Sequence, residues 1–285
     1  MTNVLILGGR GFLGAAVARR FGTRAVASSR AGGPGMVRLD PSDFDELNAA
    51  VTEFGITTII NASGLKSGTS AELETANVTV VTNTLRLAEI HGLRLVHIGS
   101  AAEYGALSEI VDETADCEPL TPYARTKLRA TDLVVDAASS RVDCVSARVF
   151  NVVGPSLSVH QPVGEFAFAL TKADHTATLT IRNAATCRDF VPRSFVVSAL
   201  QRLCTVSGPL PPIVNICSGV GVTFGALATA MAEYLGLDLT IDDLGEPLSV
   251  VRMVGSTTLL RKSLGIEPPT DLMALAAEAF HDPSH

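Results

Sequence analysis

Apolar residues fall along this chain in two rhythms, and the change between them comes near residue 155. Before it, short and almost wholly apolar runs alternate with longer stretches whose apolar positions recur at helical spacing. Val4–Leu7, Ala25–Ala27, Thr58–Ile60, Leu95–Ile98 and Cys144–Arg148 predict strands, while Gly11–Phe21, Phe44–Phe54, Ala71–His91 and Pro122–Ala138 predict helices. Repeated strand–helix alternation predicts a parallel sheet covered on both faces, which is where strands apolar on both sides belong.

After Gly154-Pro155 the alternation breaks down. Val163–Ala173 and Val196–Val206 predict helices, and Thr178–Ile181 and Ile213–Cys217 predict strands, with Pro209, Pro211 and Pro212 marking a turn between. A helix at Phe224–Leu235, a strand at Asp238–Ile241 and helices near Thr257–Leu264 and Leu272–Phe280 complete the chain. The expectation is an α/β fold: a doubly wound parallel sheet with a smaller C-terminal α/β unit at its edge. Residues 1–155 would form the sheet domain, completed by about 193–217, and residues 156–192 with 218–285 the smaller unit.

Composition narrows the function classes. The chain has 285 residues, 47% of them apolar and 18% charged, and its net charge is −7. That is a globular composition, and a mildly acidic chain without a Lys/Arg run gives no reason to expect a nucleic-acid partner. The first residues enter an apolar strand at once, unlike a secretory leader, and no stretch has the length of a membrane span. Five cysteines without a CxxC pair and six scattered histidines suggest neither a disulfide framework nor a metal site. A reducing cytoplasmic location is the expectation.

The first strand runs into Gly8-Gly9-Arg10-Gly11-Phe12-Leu13-Gly14, a GxxGxxG turn that opens a helix. Glycine suits a sharp turn, a close approach to a pyrophosphate, and tight packing of helix on strand; the helix N-terminus then offers free N–H groups to phosphate. The turn therefore predicts a dinucleotide site. At the end of the second strand, Ala27-Ser28-Ser29-Arg30 lacks the acid that would bind ribose hydroxyls. With Arg10 as a second cation, Ser29 and Arg30 favour a 2′-phosphate, hence NADP(H) over NAD(H).

Tyr123-Ala-Arg-Thr-Lys127 places a phenol and an ammonium four residues apart, on one face of a helix. A nearby Lys127 charge is expected to lower the Tyr123 pKa and tune it as a general acid or base. Ser100 lies just past the strand Leu95–Ile98, at the sheet edge where open parallel sheets bind ligands, placed to donate to a carbonyl oxygen. As a turn cap it would do something more ordinary.

Taken in order, Gly8–Gly14, Asn61-Ala-Ser-Gly64, Ser100-Ala-Ala-Glu-Tyr-Gly105, Pro119–Lys127 and Arg148-Val-Phe-Asn-Val-Val-Gly-Pro155 resemble the extended short-chain dehydrogenases/reductases, the NAD(P)-dependent epimerase/dehydratase family that modifies nucleotide sugars. Arg188-Asp-Phe-Val191 and Asn215-Ile-Cys-Ser-Gly219 carry the resemblance into the second half, so that it spans about residues 3–265. It implies a Rossmann-type fold with a substrate-binding unit formed by the C-terminal half. It also implies that Ser100, Tyr123 and Lys127 are catalytic, with Lys127 holding the nicotinamide ribose. Gly8, Gly11, Phe12, Leu13, Gly14, Ser63, Asp40 and Val152 would contact the cofactor, Asp40 near the adenine and Val152 near the nicotinamide. Asn151 and Arg188 would meet a nucleotide diphosphate. A homodimer built on the helix at Ala71–His91 and the one carrying Tyr123 is implied as well.

Departures from the family pattern bear on the reaction. Dehydratases of this kind carry Asp-Glu directly after the catalytic Ser/Thr, and epimerase-reductases carry a Cys two places before the tyrosine of the Tyr-Gly pair; here Ala101 and Ala102 stand in those places. Glu103 lies one place away from the acid's position. Reduction of a ketone on a nucleotide-linked (4-keto-6-deoxy) sugar with NADPH is the expected reaction. NAD-dependent 4-epimerisation is the first alternative and a non-catalytic NADP-binding regulator the second. Pro192-Arg-Ser follows Arg188-Asp-Phe-Val where an acidic pair is common, which marks the substrate pocket as altered.

Overall fold

A computed structural model describes residues 3–105, 110–246 and 252–281. In chain order its elements are β1 (Asn3–Leu7), α1 (Phe12–Phe21), β2 (Ala25–Ser29), β3 (Val37–Arg38), α2 (Phe44–Glu53), β4 (Ile56–Asn61), α3 (Ser70–Glu74), α4 (Val80–His91), β5 (Arg94–Ser100), β6 (Ile110–Val111), α5 (Pro122–Ser139), β7 (Cys144–Val149) and β8 (Asn151–Val153). There follow α6 (Pro162–Leu170), β9 (Thr176–Ile181), β10 (Cys187–Pro192), α7 (Arg193–Thr205), β11 (Ile213–Ile216), β12 (Gly221–Thr223), α8 (Phe224–Tyr234), β13 (Asp238–Asp243), β14 (Arg252–Gly255), α9 (Thr258–Leu264) and α10 (Leu272–Glu278).

The main sheet has seven strands in the order β11-β7-β5-β4-β1-β2-β3, every neighbouring pair parallel. This is the Rossmann-type fold, and strand alternation fills both its faces. Val4 and Ile6 of β1 join Val17 and Phe21 of α1 and Leu200 and Leu203 of α7. Leu5 and Leu7 point the other way, onto Leu47 of α2, Leu85 of α4 and Val134 of α5. The order reverses between β1 and β4, which opens a crevice beyond the strands' carboxyl ends.

Three further features shape that crevice. β7 passes into β8 with only Phe150 between, and β8 pairs with β10 in a second, five-stranded sheet that also contains β12, β14 and β6. A two-stranded β9–β13 sheet packs with α6, α8 and α10 around Leu179, Phe190 and Met231. The stretch from Ala71 to His91, expected as one helix, is α3 and α4 joined by a π-helical turn at Thr75–Thr79. Asn77 in that turn is buried; its amide nitrogen donates to Leu65 O and Thr126 Oγ1, and its Oδ1 accepts from Leu65 N. Asn77 thus ties the loop after β4 to the helix carrying Tyr123. No helix among the described residues is long and apolar enough to cross a membrane.

Candidate active site

Backbone meets backbone at the glycine turn. Gly8 has φ +77°, and a Cβ there would lie 2.8 Å from Ala62 O at the end of β4. At Gly14 a Cβ would run into the Gly8 carbonyl. Gly11 N donates to Gly8 O at 2.8 Å and begins α1, and no side chain caps that N-terminus. The result is a side-chain-free surface with a helix end behind it, which fits a dinucleotide pyrophosphate. Ser28 Oγ donates to Ile6 O and Ser29 Oγ to Gly32 O. Arg10 swings onto the turn after β2, where a Cβ on Gly33 would come 2.7 Å from its guanidinium. Arg10 and Arg30 are both exposed. Asp40 accepts the backbone N–H and the hydroxyl of Ser42, which hold its carboxyl below the usual range.

A cleft of about 720 Å³ runs on from this turn, lined by Gly11, Phe12, Leu13, Ser63, Ser100, Tyr123, Lys127, Asn151, Val152 and Arg188 among others. Gly8, Arg10, Gly14, Ser29, Arg30 and Asp40 lie outside this lining, around the glycine turn and the end of β2. The structure brings Ser100, at the end of β5, against Tyr123 on α5, and the two side chains are hydrogen-bonded. Thr121 caps α5 by accepting from Ala124 N at 3.1 Å, and Pro122 begins the helix, so Tyr123 is fixed in its first turn.

Lys127 behaves differently from the expectation. Its ammonium is buried, donates to Ile98 O and lies 3.2 Å from His97 Nε2. Burial brings its pKa down to about 8, with Glu103 opposing. Tyr123 sits above its ordinary value rather than below it: burial penalises the phenolate, the Ser100 hydrogen bond works the other way, and Glu103 pushes up again. The lysine is turned to the back wall, where Ile98 O accepts from its ammonium. Asn61 holds His97 in turn: Ser63 N–H donates to Asn61 Oδ1 at 3.1 Å, leaving the amide nitrogen 3.3 Å from His97 Nδ1.

The turn after Ser100 carries Ala101 and Ala102 on the cleft wall, without titratable groups. Glu103 points away from the cleft. It is fully buried; Oε1 accepts from Ser100 N–H at 2.7 Å and Oε2 from Arg148 Nε at 2.7 Å. Ser100 meanwhile accepts from Ala102 N, forming a capping box with Glu103, so the serine is a turn cap as well as a cleft residue. A slip of register that brought Glu103 to the cleft as an acid is thereby closed.

At the far end, Asn151 Nδ2 donates to Asp189 O and Arg188 Nη1 to Cys187 O, with both side chains on the cleft. The altered pair after β10 is accounted for: Arg193 is buried, donates to Pro155 O and lies over the Phe12 ring. Sequence reasoning missed Lys66 and Gln161, which line the cleft and meet across its mouth, Lys66 Nζ donating to Gln161 Oε1 at 3.0 Å. Lys66 lies five residues past Asn61, where loop geometry alone decides its direction.

The chain belongs to the NAD dependent epimerase/dehydratase family, which it matches over residues 4–217. Among solved structures it is similar to UDP-glucose-4-epimerase from Stenotrophomonas maltophila with bound NAD and formylated UDP-arabinopyranose, at 21% identity and TM-score 0.84, covering 98% of this chain and 97% of that one. RMD from Pseudomonas aeruginosa complexed with NADPH is 22% identical at TM-score 0.82, covering 98% and 96%. UDP-glucuronic acid 4-epimerase from Bacillus cereus in complex with NAD is 17% identical at TM-score 0.80, covering 98% and 96%. No curated protein matches the sequence.

Proposed function

We propose that the protein reduces a keto group on a nucleotide-linked sugar, of the 4-keto-6-deoxy kind, with NADPH. One observation supports hydride transfer at a single carbon: among the described residues, the cleft lining holds no carboxylate, thiol or imidazole. Arg10 and Arg30, with no acid at the end of β2, support NADPH and hence reduction over 4-epimerisation. Removing water across a sugar ring, or inverting a carbon beside a ketone, needs a base beyond the tyrosine. Exchange of a hydride at a carbonyl carbon needs one proton, and Tyr123 can supply it.

The residues divide the work. The side-chain-free turn at Gly8, Gly11 and Gly14 receives the pyrophosphate, and Arg10, Ser29 and Arg30 the 2′-phosphate. Bound nicotinamide supplies the hydride. Ser100 donates to the carbonyl oxygen while Tyr123 gives that oxygen its proton, so that C=O, hydride and proton become an alcohol. A phenol held in its protonated form suits a donor. Lys127 holds the ribose; Asn151 and Arg188, with Lys66 at the mouth, face the diphosphate. Apolar Val163, Phe190 and Met253 in the cleft lining suit a deoxygenated sugar carbon.

The test is a titration with NADPH and NADH followed by cofactor fluorescence, then turnover on nucleotide-linked 4-keto-6-deoxy sugars. Tight, exchangeable NADPH is expected, with turnover lost by about 10²–10⁴-fold in Tyr123→Phe. Retained NAD and interconversion of 4-hydroxyl epimers would instead put 4-epimerisation in its place. Unchanged behaviour of Tyr123→Phe would indicate a binding protein.

A further inference from the structure

We propose that Glu103 is a positioning residue for proton delivery, a buried anion behind Ser100 that fixes the serine's backbone and keeps Tyr123 and Lys127 protonated, so that the site gives a proton rather than takes one. The inference rests on the reading of Tyr123 as proton donor.

The geometry is one-sided. Glu103 is fully buried on the turn that follows the serine, and its Oε1 is the partner of the Ser100 N–H at 2.7 Å. Room for it exists because residue 99 is glycine: a Cβ there would lie 2.9 Å from Oε1. Arg148 on β7 binds the other oxygen, stacked over the Tyr104 ring at 4.6 Å, while Tyr104 donates to Asn215 Oδ1. The charged and titratable groups around the carboxylate are Arg148 on β7, Lys127 and Tyr123 on α5 with Asp132 farther along that helix, and Cys117 before it. His97 on β5 backs Lys127, and Glu113 lies beyond Tyr104. Arg148 and Lys127 are the cations facing Glu103, and Arg148 lies on the side away from the cleft. One carboxylate oxygen is held by Arg148 and the other by the N–H of Ser100, whose hydroxyl partners Tyr123, while Lys127 donates to Ile98 O beside Gly99, so the negative group sits behind both. A negative charge at that place disfavours phenolate and favours ammonium, the protonated form in both.

The experiment is tyrosinate absorbance against pH, needing no substrate. Subtracting Tyr123→Phe isolates Tyr123 from Tyr104, whose hydroxyl burial pushes up to about 12, and from exposed Tyr234. Replacing Glu103 by Gln is expected to move the Tyr123 midpoint down by about one pH unit or more. A lone Arg148 can prevent folding, so Glu103→Gln with Arg148→Met is measured too, with the same direction expected. With NADPH and a keto-sugar, the high-pH limb of kcat should fall earlier in both variants while KM stays. A folded variant whose Tyr123 midpoint is unmoved would overturn the proposal, whatever the substrate proves to be. A moved midpoint without turnover would leave Glu103's effect standing and remove the reductase reading alone.

Discussion

Glu103 and Asp189 are both carboxylates with no exposure to solvent, satisfied in contrasting ways. Among the described residues the donors to Asp189 on β10 are uncharged: Ser218 N and Oγ at 2.7 Å on one oxygen, Gly219 N at 2.9 Å and Gly255 N at 3.1 Å on the other. Those donors come from the turn after β11 and from β14, so the carboxylate joins separate stretches of chain. Glu103 has one backbone N–H and one arginine, and its far side faces the catalytic pair. A buried anion enclosed by N–H groups acts as a joint; one held by a single cation next to a reacting group also acts through its field.

The sharpest break of this comparison is Asp189→Asn. In either orientation asparagine would set its NH₂ against at least one backbone N–H donor, so a loss of about 2–3 kcal/mol is expected in urea unfolding. NADPH affinity per folded molecule should not change, because the joint has no part in the nucleotide site. An affinity loss that matched the stability loss would erase the distinction drawn here.

Lys127→Met tests the field side. The folded lysine titrates near 8 against an ordinary 10.5, so the folded state resists its charge. That penalty is complete below about pH 8, fades between 8 and 10.5, and is absent above. The methionine variant should therefore be more stable than the parent at pH 7, by up to about 3 kcal/mol, with the gain gone by pH 10.5. Urea unfolding at the two pH values reads it, and a gain independent of pH would mean that packing, not charge, set the cost. The smallest effect belongs far from either carboxylate: Arg30→Ala should weaken NADPH about fivefold and leave NADH unchanged, since an exposed cation is screened.

How much of this was open to the sequence follows from how local each feature is. β1, the glycine turn and α1 announce themselves, because strand, turn and helix signals sit within a few residues. The π turn escaped since one extra residue leaves an apolar pattern from Ala71 to His91 looking continuous. β3, β6, β8, β12 and β14 have two to four residues each and exist through partners far along the chain. β10 was quoted as a motif but not as a strand: Arg188 and Asp189 interrupt its apolar run, and what buries Asp189 comes from residues 218, 219 and 255. Ser100, Tyr123 and Lys127 were legible as a spaced set. That Lys127 turns to the back wall, and that Glu103 finds Arg148 45 positions away, are products of packing.

The junction of β7 and β8 has a mechanical consequence. A hinge needs several residues to absorb a change of backbone angles. Phe150 alone separates a strand of the large sheet from a strand of the small one, it is buried, and β10 runs straight into α7 on the way back. The halves are joined along the spine of the crevice by short connections, whereas at its lips, among the described residues, the side chains of Lys66 and Gln161 meet through one hydrogen bond. Parting Lys66 from Gln161 would cost one exposed hydrogen bond, little beside remaking the buried junction at Phe150.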